Sequence, residues 1–303
     1  SEAPRGPLLL LVMIISALCP SSLYAVACNS EDIELNSQAQ VDSFQDSYGP
    51  CDHVAGKLKI NGEDVVDLSG LSGLIYISQL TVSQNPLLKG LRGLSSITAM
   101  DAVFVYYNEG LESFDGLDAL EQVGTLLVRG NSSLRSMQGL SSLRRVGGNE
   151  LRIASNDSLE SLDGLEALDT VVGELVIEDN DSLLDIDALR SLTVATIESP
   201  YAIRIQRNSS LANLDGLASL SKVPGGLIIH LNDSLADIDG LSNLTEVGAW
   251  LHIAANHELT QVDGLRSLSK AGALSLVNNE KLQNVDGLSN FLQVQGLFEI
   301  LWN

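Results

Sequence analysis

Aromatic residues are scarce in this chain of 303 residues: 5 Phe, 6 Tyr and 2 Trp make up only 4% of it, although 45% of the residues are hydrophobic. Leu, Val and Ile must therefore bury nearly all of the apolar surface. Such a composition suits a narrow core of identical layers, and it makes a search for internal repeats the first step.

Positive charge is also scarce. Seventeen Lys and Arg residues stand against 39 Asp and Glu residues, and the formal net charge is −22. Nucleic acids and anionic membrane surfaces both require basic patches. We therefore expect neither of them as a partner.

The residue spacings of common catalytic and metal sites are missing. His53, His230, His252 and His257 do not follow the spacing of a zinc site. No serine lies in a Gly-x-Ser-x-Gly elbow, and the expected cysteine pairing leaves no free thiol as a nucleophile. The sequence therefore predicts no enzyme activity, no cofactor and no metal site.

Long apolar runs are limited to one short segment. Arg5 precedes the apolar run Leu8–Leu18, and small residues end in Ala25-Val26-Ala27 before Cys28. The run is too short to span a bilayer, and Ala-x-Ala is a cleavage pattern. We predict a signal peptide over residues 1–27 and a secreted or cell-surface protein; the alternative is a cytosolic chain that begins with a hydrophobic helix.

Only three cysteines are present. Cys19 would leave with the signal peptide, so Cys28 and Cys51 are predicted to form a disulfide in an oxidising compartment. The alternative is a lipid anchor on Cys28, because Ala27-Cys28 fits the end of a bacterial lipobox, although Tyr24 and Ala25 fit it poorly. That anchor would be the one expected contact with a membrane.

The dominant feature of the chain is a repeat in which an asparagine recurs every 23 to 28 residues. These residues, called the ladder asparagines below, are Asn85, Asn108, Asn131, Asn156, Asn180, Asn208, Asn232, Asn256, Asn279 and Asn303. Apolar residues lie three and five positions before each of them, which is typical of a strand with one buried face. After the asparagine, apolar residues recur at every third position, which favours tight turns. The sequence predicts about ten stacked coils, their strands in parallel sheets, in a rod roughly 45–50 Å long.

The ladder asparagines are predicted to point inward, where an amide can donate to and accept from the backbone of the turn around it. Five of them match the Asn-x-Ser glycosylation motif, but their burial would block modification. Asn243 lies off the ladder and is the one predicted glycosylation candidate.

Residues 28–56 lack the repeat. Ser37 and Gln40 have the spacing of a capping box, with Val41 and Phe44 on one face of a short helix. We predict a small helical N-terminal cap there, followed by the repeat domain at 57–303. The chain stops on a ladder asparagine without a second cap, so we expect the natural protein to continue.

Two segments carry a family resemblance. Val146-Gly147-Gly148 places glycine where common leucine-rich repeats have leucine, and the segment Cys51–Ile60 follows the cap. Together they resemble the receptor L domain, which occurs in the ectodomains of the insulin and epidermal growth factor receptors, in fungal cell-wall proteins and in bacterial surface proteins. The resemblance covers Cys28 to the end of the chain. It implies a mainly β, right-handed β-helix-like solenoid, an extracellular setting and a binding role, but it transfers no ligand contacts because this run of coils is longer and more regular.

Functional residues are expected on the outward face of the strands, because buried positions are forced to repeat and outward positions are not. This face collects Arg, His and aromatic residues, which are favoured at interfaces. The predicted binding residues are Phe104, Tyr106, Tyr107, Arg129, Arg152, Arg204, Arg207, His230, Trp250 and His252. We predict an extracellular recognition or adhesion module that binds a protein or glycan partner, in an oligomeric state that the sequence does not specify.

Alternatives to this interpretation remain open. The aromatic and branched residues could reflect strand propensity alone, or the face could pack on another domain or a second copy. A polysaccharide-cleaving β-helix enzyme would use Arg129 or Arg152 near Glu150, Glu174 and Glu178. A purely structural protein of the cell envelope is the third alternative.

A second column consists of aspartates that are nearly always followed by glycine. Its members are Asp115, Asp163, Asp187, Asp215, Asp239, Asp263 and Asp286. The pattern favours an Asx-type turn, with the aspartate accepting a backbone N–H and the glycine taking an unusual dihedral angle. Calcium bridging of the stacked carboxylates is the alternative.

Overall fold

The computed structural model describes residues 25–28, 32–195 and 197–303, and the description of Val194 and Ala195 is limited to their backbone. The hydrophobic part of the predicted signal peptide and Cys19 lie outside the described residues. Within them, seventeen strands form one parallel sheet, accompanied by two short helices. The chain is therefore mainly β, as predicted.

The helices are α1 (Gln38–Asp42) and α2 (Phe44–Tyr48). The strands are β1 (Ile33–Leu35), β2 (His53–Ile60), β3 (Tyr76–Ser83), β4 (Ala99–Tyr106), β5 (Gln122–Arg129), β6 (Arg145–Val146), β7 (Glu150–Ala154), β8 (Thr170–Val171), β9 (Glu174–Glu178), β10 (Val194–Ala195), β11 (Ile203–Gln206), β12 (Lys222–Val223), β13 (Leu227–His230), β14 (Glu246–Ala254), β15 (Lys270–Val277), β16 (Gln293–Val294) and β17 (Phe298–Leu301).

Each repeat contributes two stretches of strand to the sheet. In β2 to β5, β14 and β15 the two stretches form one continuous strand. In the other repeats they are separate strands, a first of two residues and a second of four or five, as in β6 and β7 or β12 and β13. We call the aligned first stretches the first row and the aligned second stretches the second row. The second row is unbroken from β2 to β17, but the pairings described for the first row are interrupted between β3 and β4 and again between β10 and β12.

Alternation along the second row produces the core. Residues three and five positions before a ladder asparagine point inward, and from the repeat of Asn85 to that of Asn279 they are fully buried. In the last repeat Phe298 is 49% exposed, because no further strand covers it within the described chain. The alternation read from the sequence is thus confirmed wherever a neighbouring layer exists.

The period of three after each ladder asparagine forms tight turns. Five of these turns contain 3₁₀ helices, at Asp187–Ser191, Asp215–Leu217, Asp239–Leu241, Asp263–Leu265 and Asp286–Leu288, and a further 3₁₀ helix at Ser69–Leu71 lies in the layer before Asn85. Three residues per turn returns every third side chain to the core. Successive layers touch here: a Cβ atom on Gly264 would lie 1.9 Å from the carbonyl oxygen of Ile238.

The ladder asparagines form a continuous hydrogen-bonded column. The Asn156 Nδ2 donates to the Val128 carbonyl and to Asn180 Oδ1, each at 3.2 Å. The Asn131 backbone N–H donates to Asn156 Oδ1 at 3.0 Å. All ladder asparagines except Asn303 are fully buried, as predicted, but their amides bond mainly the backbone and amides of the neighbouring layers and only in places the turn around them.

The residue immediately before each ladder asparagine has a positive φ. The angle is 53° at Tyr107, 56° at Leu231 and 70° at Gly130. A single left-handed residue turns the chain out of the strand and aims the following amide inward. The positive φ occurs with many different residue types at this position, so it could not be predicted from the sequence.

The cap covers the first layer with a strand as well as helices. Strand β1 pairs in parallel with the second half of β2, a strand that the sequence pattern did not reveal. Ser37 accepts from the Gln40 backbone N–H at 3.4 Å, and Val41 and Phe44 are fully buried, as the capping box predicts. Gln40 Oε1 accepts from the N–H of Asn36 instead of that of the cap residue.

The predicted disulfide is confirmed: Cys28 and Cys51 are joined, with their Cα atoms 4.9 Å apart. A sulfur in a disulfide cannot also carry a thioether, so this pairing and the lipid anchor exclude each other. Val26 and Ala27, assigned to the end of the signal peptide, lie beside the start of β2; the Val26 N–H donates to Asp52 Oδ1 at 2.8 Å. No helix in the described residues is long and apolar enough to cross a membrane.

Candidate functional site

The outward side of the second row forms one continuous surface, called the outer face below. Its residues lie six, four and two positions before each ladder asparagine, and the strand register aligns them in three columns. Phe104, Leu127 and Arg152, for example, are direct cross-strand neighbours. The ten predicted binding residues lie on or beside this face, but they separate into three groups along it.

The first group, called the aromatic zone below, consists of Phe104, Tyr106, Tyr107 and Arg129 on and beside β4 and β5. The rings of Phe104 and Tyr106 stack with their centroids 5.9 Å apart. Tyr107 is 52% exposed, and its ring lies against Gly130, where any Cβ would clash with it. Arg129 is exposed and forms no ion pair within the described chain. Burial, reinforced by the charge of Glu150, raises the pKa of the Tyr106 hydroxyl.

The second group is a network of ion pairs centred on Glu178 of β9, which is 12% exposed. Arg152 binds Glu178 through Nη1 and Glu150 through Nε, the latter at 3.1 Å. Arg207 Nη2 lies 3.2 Å from Glu178, and its Nε donates to Asp179 at 2.5 Å. Arg152 does lie beside Glu150 and Glu178, as the lyase alternative requires, but these carboxylates already engage its guanidinium.

Arg204 extends this network to the next strand. Its Nη2 lies 3.2 Å from Glu174 Oε2, while Ser199 Oγ donates to Glu174 Oε1 at 3.0 Å. The guanidinium carbon of Arg204 also lies 5.5 Å from the centre of the Tyr201 ring. The three arginines of this second group are therefore held in place by neighbouring side chains, unlike Arg129.

The third group contains His230, His252 and Trp250 on β13 and β14. The imidazoles of His230 and His252 are 5.8 Å apart, and the Trp250 ring is 4.7 Å from that of His252. Burial lowers the pKa of both histidines; the nearby charge of Arg207 lowers that of His230 further. Trp250 Nε1 and His252 Nδ1 are buried and have no hydrogen-bond partner among the described groups.

Several outward positions are nonetheless buried. Val176 and Ser275 have no exposed surface, and Ile228, Ala154 and Ala254 have 7%, 3% and 4%. Long neighbouring side chains cover small residues on a sheet surface in this way. The outer face therefore presents separated groups of exposed side chains and not one continuous row of them.

A groove of about 570 Å³ lies at the corner between the two rows. It is lined by Gly148, Asn149, Glu150, Arg152, Val172, Gly173, Glu174 and Ile197. Of these, Glu150, Arg152 and Glu174 had been singled out from the sequence, whereas Asn149 and Ile197 had not. The signal that could have found them is the length of their repeats, since insertions in repeat proteins collect at binding surfaces.

The aspartate column differs in detail from the expected turn. The Asp215 N–H donates to Asn213 Oδ1 at 3.0 Å, and the Asp239 N–H donates to Asp237 Oδ1 at 3.1 Å. The capping side chain is thus the residue two positions earlier, and not the column aspartate itself. Gly164 takes a φ of 110°, whereas at Gly264 close approach of the layers excludes a side chain.

No group of three or more His, Cys, Asp or Glu residues in the described ranges is arranged to hold a metal ion. Within the column, Arg190 binds Asp187 and Arg266 binds Asp263, each at 2.8 Å. Asp239 lacks such a pair, and burial together with the charge of Asp237 raises the pKa of its carboxyl.

Asn243, the glycosylation candidate, is exposed, and its Nδ2 donates to the Ala218 carbonyl at 2.8 Å. The five ladder asparagines with the same motif are fully buried. Asn243 therefore combines the glycosylation motif with an accessible side chain, whereas the ladder asparagines have the motif but are not accessible.

Comparison of the chain with models of known protein families and with curated protein sequences gives no match. The resemblance to the receptor L domain consequently rests on the repeat and cap motifs alone, and function has to be argued from the geometry of the outer face.

Proposed function

We propose that the chain is an exported recognition module that binds an extracellular protein or glycan through its outer face, without catalysis. We also assign it to the receptor L domain type, as a right-handed β-helix-like solenoid of about ten coils. The in-register parallel strands, the asparagine column and the disulfide-linked cap support this assignment.

The observation that carries the proposal is the aromatic zone. A chain with only 13 aromatic residues places three of them together on one strand end, beside an exposed arginine without an ion pair. Tyr and Arg are the residue types that dominate interfaces, and here both are accessible to a partner. The polysaccharide-lyase alternative is disfavoured because Arg152, the candidate arginine that lies beside Glu150 and Glu178, is already paired with both carboxylates.

The test is a double variant, Tyr107→Asn with Arg129→Gln. Asn tolerates the positive φ of position 107, so the fold should be retained. The matched control is Leu87→Asn with Arg92→Gln on the turn side, where the side chains are 53% and 79% exposed. Wild type and both variants are screened on arrays of immobilised extracellular proteins and glycans.

We expect a partner that binds the wild type and the control but binds the Tyr107→Asn, Arg129→Gln variant at least about tenfold more weakly, since interface anchors each contribute 1–2 kcal/mol or more. Equal loss of binding in the control, or a wild type that binds nothing on either array, would overturn the proposal.

A further inference from the structure

The groove at the corner between the rows is produced by two irregular repeats. The ladder step from Asn131 to Asn156 is 25 residues and that from Asn180 to Asn208 is 28, whereas the step between them is 24. The first long repeat places Asn149 on one side of the groove, and the second places Ile197 on the other. The regular repeat between them provides the floor, Val172 and Gly173.

The polar lining of this groove consists of planar groups. Glu150 and Glu174 are direct cross-strand partners, and therefore about 5 Å apart at the backbone. Asn149 is exposed, and its side-chain amide makes no hydrogen bond within the described chain. Carboxylate, amide and guanidinium groups each offer two neighbouring donors or acceptors in one plane, which matches a pair of adjacent hydroxyls.

Both carboxylates of the groove wall form ion pairs, although Arg152 is shared between Glu150 and Glu178. Arg152 lies against Glu150, and Arg204 lies against Glu174, so each carboxylate on the wall has a guanidinium partner. An ionic ligand would have to break one of these pairs, whereas hydroxyls can share the remaining lone pairs and N–H groups. The net charge of −22 also repels anionic ligands. The ion pairs hold these side chains in fixed positions before binding, which lowers the entropic cost of association.

We propose that this groove is a subsite for a neutral oligosaccharide, whose hydroxyl pairs are bound by Asn149, Glu150 and Glu174 and whose apolar ring face contacts Ile197. A volume of about 570 Å³ lies within the range of small-ligand sites. This inference rests on the proposed recognition function and names the ligand class of one part of it.

The experiment is calorimetric titration of the full chain with neutral hexasaccharides of glucose, mannose, galactose and N-acetylglucosamine, and with oligogalacturonate as an anionic comparison. The variants are Asn149→Ala, Glu150→Gln and Ile197→Ala. The control is Asn290→Ala, which removes another exposed asparagine on a distant repeat. Melting curves of all variants check that the fold is retained.

We expect at least one neutral hexasaccharide to bind, with affinity lowered about tenfold in Asn149→Ala and Glu150→Gln, equivalent to one lost hydrogen bond to a charged or amide group. Asn290→Ala should bind as the wild type does. Three results would overturn the inference: no binding of any neutral sugar, preference for oligogalacturonate, or binding unaffected by all three groove variants. If a protein partner is still lost through Tyr107→Asn and Arg129→Gln, only the groove assignment fails and the recognition function stands.

Discussion

Several single residues in this chain have a structural role that cannot be inferred from their residue type alone. The ladder asparagines are the clearest case, because five of them match a glycosylation motif and yet are fully buried. The periodicity of the sequence was sufficient to predict their orientation. It was not sufficient to predict the left-handed residue before each of them, since Gln, Tyr, Ser, Arg, Leu and Trp all occupy that position.

The ladder amides should be worth far more to stability than exposed amides. Asn156→Ala leaves the Val128 carbonyl and the Asn131 N–H buried without their partner, at about 1–3 kcal/mol each. We expect a loss of about 3 kcal/mol, seen as a clearly lower melting midpoint. Asn243→Ala removes an exposed amide and should change stability by less than about 0.5 kcal/mol. Similar melting midpoints for the two variants would show that the ladder is dispensable.

At the scale of strands and turns, the sequence predicted what is repeated and missed what is not. Alternation before each ladder asparagine and the period of three after it identified the strands and the 3₁₀ turns. The strand β1 was missed because its three residues are too few to show a period. The groove was missed because it depends on Asn149 and Ile197, which belong to insertions that break the template.

The pairing of β13 with β14 brings two histidines together, and this has a consequence for stability. Burial lowers the pKa of His230 and His252 below the ordinary 6.5 in the folded state. The unfolded chain therefore binds protons more readily as the pH falls from 6.5 towards the folded pKa values, and the free energy of unfolding decreases over that window. Well above pH 6.5 both histidines are neutral in the folded and unfolded chain, so the free energy of unfolding is not lowered by their protonation.

The charged groups facing the pair are Arg204 of β11, Arg207 directly after that strand and, across β15, Glu299 of β17. We predict that the melting midpoint of the wild type falls between pH 7.0 and pH 5.5, and that His230→Gln with His252→Gln reduces this fall. His257→Gln is the control, because His257 binds Asp233 outside the outer face. A fall of the same size in both variants would assign the pH dependence to other groups.

For the whole molecule, the excess of 22 negative charges and the stacked aspartate column both destabilise the fold by electrostatic repulsion. Like charges in successive layers repel one another, and salt screens that repulsion over about 10 Å at 0.1 M. Two of the column carboxylates bind arginines three residues later, and no described cluster offers enough ligands for a cation. Screening, and not coordination, should therefore stabilise the fold.

A general ionic effect and a calcium site predict different responses of the melting midpoint to salt. Raising NaCl from 20 to 500 mM should raise the melting midpoint, because repulsion is lost between layers that are only about 5 Å apart. CaCl₂ and MgCl₂ at equal ionic strength should raise it by equal amounts, since no three His, Cys, Asp or Glu residues in the described part of the chain are arranged to hold either ion. A larger rise with CaCl₂ at sub-millimolar concentration, abolished by Asp239→Asn, would instead show that the column binds calcium, and the turns would then depend on the metal for their stability.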